Sequence, residues 1–314
     1  MITKMRALAR SMLGLNRRNY DLISRYNPRS QFQVVDHKLK TKAALSTLQI
    51  PVVETFMVYR LQRDIVRFAE QSQAWDEFVI KPAQGAGGEG VVIITGKSAG
   101  GFVLSTDQWV SARDLESHLS DILGGVFSLN QRYDEVLIER RVHAHPALVP
   151  LSFRGLPDIR ILVFRGVPIM AMVRGATQAS RGRANLHLGG IGVGIDLTTG
   201  VTTYALVGRQ WITHHPDTQE VLSGRTIPYW NELLMIAAHC ADAVALGYIG
   251  VDLTIDAGNG PCVLELNARP GLSIQLANRQ GLRPLITAVE QRAPDTLPVF
   301  ERVHLGQQLA RHAD

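Results

Sequence analysis

Apolar positions recur along this chain in two rhythms. Residues 38–48, 62–73, 112–123 and 229–246 carry them at helical spacing, which predicts four helices, the last of them the longest. Residues 52–58, 78–81, 91–95, 136–138, 159–164 and 167–173 are short, β-branched runs and predict strands. Gly166 separates the last two and makes a hairpin of them, and a Gly- and Arg-rich loop is predicted over 179–194. Helices and strands alternate without regular βαβ spacing. The fold class predicted is therefore α+β with antiparallel sheets, not a doubly wound parallel sheet.

One further strand pair carries chemistry. A run ending Gly250-Val251-Asp252-Leu253 turns through Gly258-Asn259-Gly260 into Val263-Leu264-Glu265-Leu266-Asn267. A two-residue turn at Gly258-Asn259 sets Asp252 opposite Glu265, and one at Asn259-Gly260 sets it opposite Asn267. Glu265 and Asn267 share a face by strand alternation, so two acids and an amide converge in either register. A half-buried sheet does not hold uncompensated carboxylates cheaply. Oxygen-only ligands suit Mg²⁺ or Mn²⁺. The competing reading is an exposed hairpin with a solvated polar face.

Gly85-Ala86-Gly87-Gly88-Glu89-Gly90 satisfies the dinucleotide fingerprint in letters, but that fingerprint needs a helix next. Here a strand follows, so the glycines are read as the tip of a β-hairpin whose amides can close over phosphates; an ordinary hairpin tip is the alternative. Gly96-Lys97-Ser98 resembles the end of a Walker A loop, but Val91 stands where its first glycine belongs. Lys81 ends a strand just before the glycine loop, where its ammonium can reach the same phosphates. Lys38 opens a predicted helix and is a second candidate, with a solvated surface charge as its alternative. Alternation places Asp158, Arg160 and Leu162 on one face. They form either a local ion pair or a site in which Arg160 clamps a phosphoryl group and Asp158 binds a sugar hydroxyl.

Composition narrows the class. With 314 residues, 46% hydrophobic and 19% charged, the chain is globular and can bury a substantial core. Cys240 and Cys262 lie on a helical and a strand pattern without metal-ligand spacing and are read as reduced, buried residues, which gives a cytoplasmic expectation. The net charge of +5 is unevenly spread: residues 1–42 hold ten Lys or Arg against Asp21 and Asp36, leaving 23 basic and 26 acidic residues elsewhere. Residues 1–15 have helical spacing and are read as a solvated helix packed on its own domain, with an interfacial or partner-binding helix as the alternative.

Taken together, these residues resemble the ATP-grasp superfamily and, within it, the RimK-like glutamate ligases. The resemblance runs from about Val35 to about Asn278. Its motifs are Asp36-His37-Lys38-Leu39-Lys40-Thr41 with Ile50-Pro51, Val79-Ile80-Lys81-Pro82 with the glycine loop, Leu137-Ile138-Glu139, and Asp158-Ile159-Arg160. They continue with Arg183-Ala184-Asn185-Leu186-His187-Leu188-Gly189-Gly190, Gly250-Val251-Asp252-Leu253 and Glu265-Leu266-Asn267-Ala268-Arg269-Pro270-Gly271. The resemblance implies an ATP-grasp fold clamping ATP, with two Mg²⁺ (or Mn²⁺) ions held by Asp252, Glu265 and Asn267. It implies phosphate contacts from Lys38, Lys81 and the glycine loop (Gly85, Gly87, Gly88, Gly90), adenine contacts from the backbone of Glu139, Arg140 and Arg141, and ribose binding by Asp158. Arg183 and Asn185 would reach the phosphate side, and Arg160 and Arg269 would act on the reacting phosphoryl group or an anionic substrate.

The domain organisation expected is a basic segment over 1–35, an ATP-grasp region over 36–290 and a tail over 291–314. A lid subdomain would cover about 50–135 and a metal-binding subdomain about 136–290. A full domain ahead of the first lysine motif is lacking, and the basic segment is expected to stand in for its wall of the substrate pocket. The activity implied is an ATP-dependent carboxylate-amine ligase working through an acyl phosphate, adding glutamate or another amino acid to an acceptor. A phosphotransferase acting on a small-molecule hydroxyl and a non-catalytic nucleotide-binding scaffold are the alternatives. Amino acid and carboxylate substrates are expected. A protein or peptide acceptor and a homo-oligomer are left open, nucleic acid is not expected, and membrane contact through the basic N-terminus is the lesser reading.

Overall fold

The structure is a computed structural model that describes residues 8–85, 87–128 and 131–311. The chain divides into a smaller unit, His37–Leu39 with Val53–Val142, and a larger unit, Met1–Asp36, Lys40–Val52 and His143–Asp314.

In the smaller unit β1 (Thr55–Tyr59), β2 (Phe78–Pro82), β3 (Val92–Ser98), β4 (Gly101–Leu104), β5 (Trp109–Ser111) and β6 (Val136–Arg140) form one sheet in the order β1-β6-β2-β3-β4-β5. Every neighbouring pair is antiparallel. Helix α1 (Ala112–Leu123) starts where Ser111 Oγ accepts from Asp114 N at 3.1 Å and Asp114 accepts from Ser111 N at 2.9 Å, a reciprocal cap. Its Leu115, Leu119 and Ile122 return every three to four residues to pack with Phe78, Ile80, Ile138, Phe68 and Phe102. With Phe78 and Ile80 in the core, alternation turns Val79 and Lys81 to the opposite face. The helix predicted over 62–73 is interrupted, with turns at Gln62–Ile65 and Phe68–Gln71.

The larger unit is built on β7 (Asp158–Phe164), β8 (Val167–Gly175), β9 (Ile191–Ile195), β10 (Thr202–Val207), β11 (Gln210–Ile212), β12 (Tyr248–Asp256) and β13 (Gly260–Asn267), ordered β11-β10-β9-β8-β7-β12-β13 and antiparallel throughout. Strands β9, β10 and β11 depart from the sequence reading: the loop predicted over 179–194 gives way at Ile191 to β9, and the two strands after it have no counterpart among the predicted elements. On one face Ile159, Ile161, Val173, Val193, Val251 and Leu253 pack with Leu233, Ala237 and Cys240 of α2 (Trp230–Val244). On the other, Leu162, Phe164, Met170, Met172 and Leu206 pack with Leu282, Leu285 and Val289 of α3 (Leu282–Arg292). No described helix is long and apolar enough to cross a membrane.

The first and last described segments are both built into this unit. Leu13, Leu22 and Ile23 are buried in the second cluster, and Asn27 donates to the carbonyls of Tyr248 and Ala268 at 2.7 and 3.1 Å. Residues 18–23 are π-helical, which helps explain why helical spacing in the sequence does not reveal this burial. Residues 1–7 of the predicted N-terminal helix lie outside the described residues. The residues expected as a tail include α4 (Val299–Arg311), whose Arg302 forks onto Asp242 at 2.8 and 2.5 Å.

Candidate active site

The second face of the large sheet is apolar along most of its length and charged at one end. Cross-strand pairing sets Arg160 opposite Asp252, Asp252 opposite Glu265, and Asp158 opposite Arg174, so all five side chains start from one face. Arg160 donates from Nε and Nη2 to the two Asp252 oxygens at 2.6 and 2.5 Å. Arg174 donates to Asp158 at 2.6 and 2.8 Å and, from Nη2, to Asp252 at 2.7 Å. Asp158 and Arg160 are each 6% exposed and Asp252 is fully buried.

Burial alone would raise the Asp252 carboxyl, but Arg160 and Arg174 outweigh it and hold the group well below the usual carboxylate range. Asp158 goes the other way. Burial, opposed by Arg174 and reinforced by the Asp252 charge, pushes it up to about 7. Burial also works against the Arg174 cation, yet Asp158 and Asp252 hold it above the usual guanidinium range. One arginine thus serves two carboxyls.

The donor chemistry of Asp252, Glu265 and Asn267 fits a hard divalent cation. Glu265 stands directly opposite Asp252 across the hairpin, so the two carboxyls present oxygen ligands side by side, the kind of set a hard cation takes. Asn267 pairs with Gly250 across the hairpin, and its Oδ1 accepts from Arg269 N at 2.8 Å. Gly250 is required there: a Cβ at this position would lie 2.9 Å from Pro270 Cβ and 3.5 Å from Arg160 Nε. Among the described residues no group of three or more His, Cys, Asp or Glu is arranged for a metal, so the amide of Asn267 is an essential part of the proposed set.

Other expected residues lie apart from this cluster. Strand β13 ends at Asn267, so alternation does not carry Arg269 onto the face of Asn267; it pairs with Asp36 at 3.2 Å and stacks on Phe32 at 4.5 Å. Asn185 accepts from His187 N at 2.9 Å and caps a short turn, and Arg183 is exposed.

In the smaller unit Lys81 Nζ lies 2.6 Å from Glu139 Oε2, and the Glu139 side chain is nearly buried. Lys38 Nζ donates to the carbonyls of Pro82 and Gly85 at 3.0 and 2.8 Å, which ties it to the root of the glycine loop. Gly87, Gly88 and Gly90 have φ of 66°, 78° and 70°, a region that favours glycine; Ala86 lies outside the described residues. β2 pairs with β3 across this loop, so the hairpin reading holds and the dinucleotide reading does not. Strand β6 ends at Arg140, whose N donates to Glu54 O at 3.0 Å, and Arg141 donates to Glu77 at 2.9 Å.

Residues 17–291 match the family described as sugar-transfer associated ATP-grasp. The chain belongs to that family. No curated protein matches it. Solved structures similar to this ATP-grasp chain include the ATP-grasp ligase PsnB complexed with minimal precursor, at 17% identity over 85% of this chain and 64% of that one, TM-score 0.45. D-cycloserine synthetase DcsG matches at 16% identity over 91% and 73%, TM-score 0.44. D-alanine–D-alanine ligase from Bacillus anthracis complexed with ATP matches at 15% identity over 90% and 66%, TM-score 0.41. The ATP-grasp chain thus spans 64% of the length of PsnB. The family match, rather than these likenesses, establishes the ATP-grasp fold.

Two residues of this ATP-grasp chain escape a reading of the sequence. Arg174 closes an apolar strand, and its place at the end of that strand is the available signal. Asp134 accepts from Gln84 N at 3.1 and 3.0 Å and fixes the root of the glycine loop; nothing in its local sequence marks it.

Proposed function

We propose that this chain is an ATP-dependent carboxylate-amine ligase that forms an amide through an acyl phosphate, with glutamate or a related amino acid as the amine in the manner of RimK-like enzymes. The observation that carries this reading is the row Glu265, Asp252, Arg160 with Arg174 and Asp158, a buried and a half-buried cation with three acids on one sheet face. Asp252, Glu265 and Asn267 would hold Mg²⁺, which when bound neutralises charge on phosphate oxygens. Lys38, Lys81 and the glycine-loop amides of the smaller unit supply donors for phosphates.

A carboxylate is a poor electrophile. Its oxygen attacks the γ-phosphorus of ATP, the bond to ADP breaks, and the amine then displaces phosphate from the acyl carbon. Both steps concentrate negative charge, and arginines already fixed by Asp158 and Asp252 stabilise it without reorganising water. No covalent enzyme nucleophile is needed.

The test is ADP release across a matrix of amino acids and carboxylates, with hydroxylamine as a trap. Hydroxamate formed in step with ADP supports the ligase. A phosphorylated hydroxyl without amide or hydroxamate would replace it with the phosphotransferase reading.

A further inference from the structure

A pocket of about 580 Å³ opens on the larger unit, lined by Tyr204, Trp211, Thr203, Thr213, Ser223 and Arg279, a size suited to a small molecule. Trp211 is 56% exposed and Tyr204 46% exposed. The Arg279 guanidinium lies 4.1 Å from the Tyr204 ring centre and 4.2 Å from that of Trp211, and among the described residues no carboxylate pairs with it.

The pocket is built, not incidental. Thr202 pairs with Ile195 and Ala205 with Val193, so Thr203 and Tyr204 together oppose Gly194 in a bulge that re-aims both side chains. Arg279 sits in the left-handed region at φ 50°, uncommon for a residue with a side chain. The residue before it is anchored, Asn278 Nδ2 donating to Ala171 O and Ile274 O at 2.9 Å each.

We propose that this pocket binds a pyranose ring bearing an anionic group. The C–H face of the ring stacks on Trp211, the hydroxyl edge meets Thr203, Thr213 and Ser223, and the carboxylate or phosphate of the sugar pairs with Arg279. A neutral apolar ligand would leave the guanidinium and the Thr203 and Ser223 hydroxyls without partners on desolvation, Thr213 alone having His214 Nδ1 at 2.9 Å. A bare anion would use neither ring.

Pairing runs Asp158, Arg174, Gly192, Leu206, Trp211 across the sheet. The pocket therefore opens on the same face as the charged cluster, three strand spacings or about 14 Å from Arg174. A sugar held there reaching the cluster as an acceptor rests on the ligase reading; its binding does not.

The experiment is a titration of the full chain without nucleotide, followed by tryptophan fluorescence and saturation-transfer NMR. The probes are trigalacturonate, galactose 6-phosphate, neutral galactotriose and acetate, on the unaltered protein and on Trp211→Ala and Arg279→Gln, each checked for fold by circular dichroism. Saturable binding of either anionic sugar, lost in Trp211→Ala and weakened about tenfold in Arg279→Gln, supports the proposal and distinguishes carboxylate from phosphate. Neutral galactotriose should bind at least about tenfold more weakly. Binding of neither anionic sugar, equal binding of acetate, or binding unchanged in Trp211→Ala overturns it.

Discussion

Arg174 donates through Nη2 to Asp252 at 2.7 Å while the same guanidinium forks onto Asp158. Replacing it with methionine keeps the volume, strands the buried Asp158 carboxyl and takes from Asp252 one of its two arginine partners, leaving Arg160. Arg174→Met is expected to lower stability by about 3–5 kcal/mol, read from urea unfolding, and adding Asp158→Asn to it should recover part of that loss. A loss under about 1 kcal/mol would show that the arginine is not compensating buried charge.

The opposite shifts of Asp158 and Asp252 predict a pH signature. Asp158 is raised to about 7, so the native state holds a proton the unfolded chain releases near its ordinary value. Its contribution is full below about 4 and is lost as pH rises to about 7. Asp252 is lowered, so its contribution is present above the ordinary range and lost only in stronger acid. Asp158→Asn should flatten the decline in stability between about pH 4 and 7. An unchanged slope in urea unfolding across that window would contradict the assignment.

Much of this arrangement is legible from alternation, and the failures of register come from bulges. From the Gly166 turn, Phe164 pairs with Val167, and a straight ladder would set Asp158 opposite Val173. A bulge between Leu162 and Val163 shifts the pairing by one residue and brings Arg174 there, reversing the face of everything beyond it. Sequence spacing does not announce such a bulge. In the β12–β13 hairpin a two-residue turn at Gly258-Asn259 predicts the observed pairing of Asp252 with Glu265, but the turn itself differs. Asp256 pairs with Gly260 around a three-residue loop, and a bulge past Leu253 restores the register. The N-terminal burial and the aromatic pocket stay hidden in the sequence because both depend on contacts distant along the chain.

Burial raises the Cys240 thiol far above its ordinary range, and Cys262 is buried as well. Neither should react with a disulfide reagent in the native protein, and both should react in denaturant. Rapid native labelling of Cys240, followed by absorbance and mass spectrometry, would contradict its place on the buried face of α2.

Removing residues 1–30 takes away Leu13, Leu22 and Ile23, which are buried, at about 1.5–3 kcal/mol each. The truncated chain is expected to lose cooperative thermal unfolding by circular dichroism rather than merely to lose an acceptor. A truncated protein that melts like the full chain would show that the segment is not part of the core.

The most direct test of the ligase reading follows one oxygen atom. Once the matrix of substrates yields a productive pair, the carboxylate is labelled with ¹⁸O and the released phosphate is analysed by mass spectrometry, with Glu265→Ala as the control. The expected result is one labelled oxygen transferred to each phosphate and no turnover by the folded variant. ADP formed with unlabelled phosphate, or turnover by Glu265→Ala at the rate of the unaltered protein, would contradict it.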